Sequence, residues 1–312
     1  MSAIPFVTLE SPRYGEAVAV SPLVRRVIAA NPSKYTYLGT GTYIIGHDDV
    51  AVIDPGPPLD GHRDALAAAL DGLRVRAILV THCHSDHSPL AAWLHETTGA
   101  PTFAFGPHGT AEPSGDLDEE IDGDIEEGVT LEETTDTDFE PDVRVGDGEV
   151  VAMGSGWTMR AVFTPGHTSN HMCYALEEER ALFTGDHVMG WSTTVVSPPD
   201  GDMRAYIDSL RKVMARDDVT LLPTHGAPVT SPKPFLQAFL EHRLQREAQV
   251  LDAVRSGLSD IEAMVKVMYA DVREELHKAA GRSVLSHLIK LVDDGAVTVE
   301  GKLGSKGTYL PA

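Results

Sequence analysis

Apolar positions in the first 230 residues fall in short, strand-length runs, and several of the stretches between them carry apolar residues at three- and four-residue spacing. The first pattern predicts strands and the second predicts amphipathic helices. Tyr43-Ile44-Ile45-Gly46 and Val50 to Asp54 read as two strands joined by the turn Gly46-His47-Asp48-Asp49. Asp60 is expected to cap a helix whose apolar face is Ala65, Leu66, Ala69, Leu70 and Leu73. Arg76 to Val80 is the next strand, Ser88-Pro89 opens a second helix through Trp93 and Leu94, and Thr102 to Phe105 is a further short strand. From Glu149 the chain turns β-rich, with strands at Glu149–Met153, Trp157–Thr164, Met172–Leu176 and Ala181–Thr184. A helix over 202–216 and a strand over Val219–Leu222 follow. Strand groups separated by helices imply an α/β fold of two β-containing halves packed face to face.

The pattern changes near Ser231-Pro232. Helices are predicted from Phe235 to Ser256, Asp260 to Tyr269 and Glu274 to Asp294, followed by a hairpin of Ala296–Glu300 and Gly307–Leu310. Three helices and a hairpin look like a winged helix. The expected organisation is an N-terminal extension (1–34), a catalytic domain (35–230) and a helical linker with a small winged-helix-like domain (231–312).

Composition adds little until charge is localised. The 312 residues are 42% hydrophobic and 23% charged, ordinary for a globular protein, with a formal net charge of −22. Residues 110–149 hold 17 Asp or Glu against one Arg, so −16 of that charge sits in one insertion and −6 elsewhere. The insertion, Glu112 to Asp142 at its most acidic, reads as a solvated loop. The two cysteines, Cys83 and Cys173, give no disulfide framework, and Cys83 is expected to pack away from the neighbouring histidines. No apolar run is long enough to cross a bilayer, so no membrane association is expected. Met1 to Phe6 has neither a basic nor an apolar leader region, from which a cytoplasmic location follows.

The chemistry concentrates where apolar runs end. Arg76–Val80 leads into Thr81-His82-Cys83-His84-Ser85-Asp86-His87, four potential metal ligands within six residues. A loop there can turn His82 and His84 toward one point and Asp86 and His87 toward another, as two neighbouring metal ions require. Three further candidates also end apolar runs: His167 in Thr164-Pro165-Gly166-His167-Thr168, Asp186 in Phe183-Thr184-Gly185-Asp186-His187, and His225 in Leu222-Pro223-Thr224-His225-Gly226. Neutral imidazoles with carboxylates suit zinc, while ligand type alone leaves iron or manganese open.

This order of ligands resembles the metallo-β-lactamase superfamily, and Val52-Ile53-Asp54-Pro55-Gly56 resembles the turn that precedes its metal motif. The resemblance covers roughly residues 35–230 and implies an αββα sandwich with the metal site at the strand ends. It implies two divalent cations, one held by His82, His84 and His167 and the other by Asp86, His87 and His225, with Asp186 bridging. A bridging hydroxide would then attack an acyl carbonyl or a phosphorus while the metals stabilise the oxyanion. Asp86 and Asp186 are the catalytic carboxylates, Asp86 orienting the hydroxide or passing a proton to the leaving group. Asp54 either accepts a ligand imidazole N–H or is a structural turn residue. His171, His187 and Trp191, with Ser192, Thr193 and Thr194, are weaker candidates for the pocket. His47, His62, His95, His108, His242, His277 and His287 are read as ordinary.

With its tail, the chain resembles the glyoxalase-II-like branch that includes a mitochondrial endoribonuclease. Asp186 stands where zinc lactamases carry Cys or Ser, which disfavours β-lactams, and Val188-Met189-Gly190-Trp191-Ser192 departs from the glutathione-binding stretch of glyoxalase II. Flavodiiron oxidoreductases place Glu where His84 stands, so hydrolysis is favoured over oxygen chemistry. A small-molecule substrate is expected, an ester, thioester or lactone, and nuclease action on single-stranded RNA or DNA is the alternative. His242 to Ala312 balances 10 Lys or Arg against 10 Asp or Glu, without the basic excess of a phosphate-tracking surface. The tail is therefore expected to serve as a lid or a homodimer element.

Overall fold

The computed structural model describes residues 4–9, 11–110, 134–270 and 277–312. Its first sheet contains β1 (Val18–Ala19), β2 (Val24–Ile28), β3 (Gly41–Ile45), β4 (Asp49–Ile53), β5 (Arg74–Leu79), β6 (Thr102–Ala104) and β7 (Val143–Arg144), in that spatial order. Pairing is antiparallel as far as β4 and parallel from β4 to β7. Parallel neighbours need a crossover, which α1 (Asp60–Leu70) supplies between β4 and β5 and α2 (Leu90–Thr98) between β5 and β6. The second sheet contains β8 (Val150–Gly154), β9 (Trp157–Phe163), β10 (Met172–Leu176), β11 (Ala181–Gly185) and β12 (Thr220–Pro223), in the order β12-β11-β10-β9-β8. The helix α3 (Met203–Met214) makes its one parallel crossover, from β11 to β12.

Strand alternation builds three layers of core. Tyr43, Ile45, Ala51, Ile53 and Leu79 face Met159, Tyr174, Phe183 and Leu222 between the sheets. Their neighbours Ile44, Val50, Val52, Ile78 and Val80 point the other way and pack under Leu66, Leu70 and Leu94 of α1 and α2. On the far side, Cys173, Ala175 and Leu182 pack under Tyr206, Ile207 and Leu210 of α3 and Phe235 and Phe239 of α4 (Pro232–Arg255). Because both faces of each sheet are covered, β3, β10 and β11 are buried along their whole length. The result is an αββα sandwich.

The tail is a winged helix. Its elements are the C-terminal half of α4, α5 (Ile261–Met268), α6 (His277–Asp293) and the antiparallel hairpin β13 (Val297–Glu300) and β14 (Thr308–Pro311). They share a separate core in which Val254, Met264, Val284, Leu288, Val297 and Tyr309 are buried. The Asp260 side chain caps α5 by accepting the Ala263 N–H. The tail folds back on its own catalytic domain, where Arg204 of α3 pairs with Asp294 just past α6 at 2.5 Å.

Two readings shift. β1 and β2 lie in the stretch set apart as an extension, yet β2 pairs along its length with β3. Arg25 and Arg26 disguise β2 in the sequence, and Arg26 is buried because its guanidinium donates to the Gly226 carbonyl at 2.7 Å. The residue that caps α1 is Leu59, without a side-chain bond, and Asp60 lies in the first turn. The acidic insertion falls largely outside the described residues, as does Glu274 at the expected start of the third helix.

Candidate metal centre

All seven proposed ligands stand just beyond the carboxyl ends of strands. His82, His84, Asp86 and His87 follow β5, His167 follows β9, Asp186 follows β11 and His225 follows β12. Glycine is required at two of these exits. At Gly166, φ is +136° and a Cβ would sit 2.3 Å from the Tyr206 Cα, so only glycine lets the turn before His167 rest on α3. At Gly185, φ is +49° and a Cβ would sit 2.6 Å from His171 Nε2. Asp186 is thereby set directly against the histidines.

The ligand atoms converge in three overlapping groups, His82–His84–His167, His82–His87–Asp186 and Asp86–His87–His225, with the atoms of each group within 4.8 Å of one another. His84 Nδ1 lies 2.9 Å from His82 Nε2 and 3.3 Å from His167 Nε2. On the other side, Asp86 Oδ2 lies 3.2 Å from His225 Nε2 and 3.4 Å from His87 Nε2. Asp186 divides its carboxylate between the two groups. Its Oδ1 faces His225 at 3.4 Å and His87 at 3.6 Å, while Oδ2 faces His167 at 3.9 Å.

The donor set fits divalent cations. His87 Nε2 and Asp186 Oδ1 are buried and have no hydrogen-bond partner, although each points into the cluster. Orphaned buried polar atoms are costly, and a cation among these ligands would satisfy both. Protonation follows the same division. Burial, together with the neighbouring imidazoles, holds His82 and His84 well below the usual histidine range, which leaves them as neutral donors. Burial also opposes a charged His87, but Asp86, Asp54 and Asp186 outweigh it and raise that ring to about 10. The same contest raises His225, with Asp186 and Asp86 prevailing over burial. Asp86 is held below the carboxylate range because His87 and His225 overcome its desolvation. This carboxylate-rich half demands positive charge.

Residues around the ligands fix their aim. Asp54 accepts the Thr81 N–H and hydroxyl, each at 2.8 Å, and the Thr224 hydroxyl at 3.1 Å, and it also holds His87 Nδ1. It is thus both a turn residue, with φ +48°, and a support for a ligand ring. His171 is buried, and its Nε2 accepts the Asp186 N–H at 3.2 Å. His187 is buried against the Tyr206 ring, and its ring nitrogens have no hydrogen-bond partner among the described residues. Trp191 stacks on Tyr37 with ring centroids 4.8 Å apart, and Thr194 donates to the carbonyls of Asp186 and His187. These residues hold the loop in place, and none of them lines the pocket beside the ligands. Cys83 packs as expected, beside Asn170, and burial pushes its thiol up to about 12.

That pocket has a volume of about 240 Å³ and opens beside His84, His167 and Asp186. Its apolar wall is Met189, Val195 and Pro199, and Tyr35, His108, Asp200 and Arg282 complete it. Sequence reading treated His108 as ordinary, but its Nδ1 lies 3.7 Å from Asp200 in this wall. Thr40 was missed altogether, although its hydroxyl donates to Asp86 Oδ2 at 2.7 Å. Nothing in Gly39-Thr40-Gly41 signals that role.

An αββα sandwich that gathers histidines and aspartates at its strand ends is the framework of a metal-dependent hydrolase. Residues 37–225 match the metallo-beta-lactamase superfamily model, and the chain belongs to that superfamily. Residues 261–306 match the beta-lactamase associated winged helix domain. Among curated relatives, an atrochrysone carboxyl ACP thioesterase of Paecilomyces divaricatus is 30% identical over 308 residues, covering 95% of this chain and 88% of the relative. A lactamase-like protein of Aspergillus sp. (strain MF297-2) is 28% identical, covering 96% and 90%. Among solved structures, a beta-lactamase domain protein from Burkholderia ambifaria superposes with a TM-score of 0.75 at 23% identity, covering 96% and 95%. A metallo-beta-lactamase family protein from Thermus thermophilus gives 0.73 at 21%, covering 94% and 100%. These structures share the fold. Among the described residues no helix is long and apolar enough to cross a membrane.

Proposed function

We propose that the protein is a thioesterase that uses two divalent cations, zinc by the chemistry of its donors, to hydrolyse an acyl thioester. The observation that carries the two-metal reading is the division of Asp186, whose two oxygens face different ligand groups. Thioester chemistry is supported by the thioesterases among the relatives, which align over most of both chains. His82, His84 and His167 would hold one cation and Asp86, His87 and His225 the other, with Asp186 shared. Bound cations supply Lewis acidity for the thioester carbonyl and lower the pKa of a water at the site.

The chain's own residues do the rest. The apolar wall of Met189, Val195 and Pro199 seats the acyl group and excludes water from it. Thr40 fixes Asp86 through Oδ2, so this carboxylate keeps its orientation beside the attacking water and can receive its proton. The partner is a small acyl substrate, free or on a carrier.

The test combines metal analysis with a substrate panel: an N-acetylcysteamine thioester, a coenzyme A thioester, an ester, a lactone, a β-lactam and single-stranded RNA. Two metals per chain with thioester turnover that chelation removes is the expected result. RNA cleavage without thioester turnover would replace this reading with the nuclease alternative.

A further inference from the structure

The winged helix does more than pack against the catalytic domain, because it places a side chain in the substrate pocket. Arg282, in the second turn of α6, lines the same cavity as His84, His167 and Asp186, and among the described residues it is the only Lys or Arg that lines that cavity. It forms no ion pair or hydrogen bond with any described residue, unlike Lys290 on the same helix, which pairs with Glu247 at 2.9 Å and Asp294 at 2.7 Å.

The helix that carries Arg282 is firmly placed. Arg204 of α3 bonds Asp294 at 2.5 Å and the Lys290 carbonyl at 3.5 Å, while Lys290 ties α6 to Glu247 of α4. Val284, Leu285 and Leu288, which follow Arg282 along the helix, are buried in the tail's own core. Arg282 is thus an exposed guanidinium, unpaired among the described residues, at the rim of a pocket that holds His84, His167 and Asp186 and has Met189, Val195 and Pro199 in its wall. The protein as a whole carries −22, so an anionic substrate approaches against its field. A guanidinium at the rim offsets that repulsion locally and presents the fork that carboxylates and phosphates match.

We propose that Arg282 binds an anionic oxygen group, carboxylate or phosphate, on the substrate, so that the winged helix selects anionic acyl compounds for the metal centre. This rests on the thioesterase reading for its substrates, but the binding itself does not require turnover.

The experiment compares the wild-type holoenzyme with Arg282→Gln and Arg282→Lys on three thioesters. Glutaryl-N-acetylcysteamine carries a carboxylate on the acyl side, its methyl ester is the neutral analogue, and butyryl-coenzyme A carries phosphates on the thiol side. The expected result is that wild type prefers at least one anionic substrate to the neutral one in kcat/KM. Arg282→Gln should then reduce that preference about 10-fold, as expected for losing one charge-assisted hydrogen bond, and Arg282→Lys should restore part of it. Loss on the glutaryl substrate places the anion on the acyl side, and loss on the coenzyme A substrate places it on the thiol side. Equal changes for neutral and anionic substrates, or none, overturn the inference. If wild type hydrolyses no thioester, the thioesterase reading fails separately, and calorimetric titration of both holoproteins with glutarate decides the matter. About 10-fold weaker binding to Arg282→Gln supports the inference, and equal binding overturns it.

Discussion

Asp54 Oδ2 lies 2.9 Å from His87 Nδ1, with both side chains buried from solvent. The contact leaves His87 Nε2 aimed at Asp86 and Asp186, so a carboxylate at the end of β4 sets the direction of a ring that follows β5. Asp54→Asn keeps the size and the tolerance for φ +48° but loses the charge that holds His87. Partners of ligand histidines typically contribute 10- to 100-fold in metal affinity. Asp54→Asn is expected to lose metal to a competing chelator within that range while remaining folded. A variant that binds metal as tightly as wild type would reduce Asp54 to a turn residue.

His84 is only partly buried, and its ring nitrogen contacts are to His82 and His167. Its removal therefore opens the centre without emptying a core. His84→Ala should abolish hydrolysis and leave circular dichroism and the melting temperature close to wild type. Global unfolding on this change would mark the centre as structural metal, which is normally closed by four ligands.

The central strands were legible because β3, β10 and β11 are buried on both faces, which makes each a nearly continuous apolar run, whereas the exposed two-residue β7 gave no such signal. The seven candidate ligands drew notice for a related reason, since the loops that carry them follow strands. β2 was hidden because Arg26 is buried through a bond to Gly226, two hundred positions away. Long-range contacts also hid Thr40, His108 and Asp200, which tertiary folding brings to the site from separate loops. No local spacing marks them. In the loop after Asp186 a packed role outweighed substrate contact on sequence grounds, and Trp191 and Thr194 spend their contacts on Tyr37 and the backbone.

Arg243 of α4 reaches that loop. Its guanidinium is buried, donates to the Thr194 carbonyl and sits 5.0 Å from the centre of the Tyr206 ring. Thr194 in turn donates to the Asp186 carbonyl at 2.8 Å, and Tyr206 donates to the His187 carbonyl at 2.9 Å. The linker helix thus braces the backbone that presents Asp186. Arg243→Met should cost about 2 kcal/mol by leaving a buried carbonyl unpaired, and it should reduce metal retention as well. Thermal unfolding with metal analysis checks both. A melting temperature that falls without any change in metal binding would confine Arg243 to stability.

Acid should destabilise the fold through histidines outside the metal centre. Burial depresses His62 to about 4 and His287, also beside Arg243, to about 3. In the unfolded chain both return toward 6.5. Above that pH neither state binds the proton, so the contribution is fully present. Between 6.5 and about 4 the unfolded chain takes up protons that the folded protein refuses, and stability falls as pH falls, by about 1.4 kcal/mol per unit for each fully linked histidine. The loss from His62 levels off below about 4 and that from His287 below about 3. Urea titrations at pH 7, 6 and 5 should show this slope, and His287→Gln should flatten it by up to one histidine's share. A slope that His287→Gln leaves unchanged would mean that burial beside Arg243 and Lys290 does not keep this ring neutral in the folded tail.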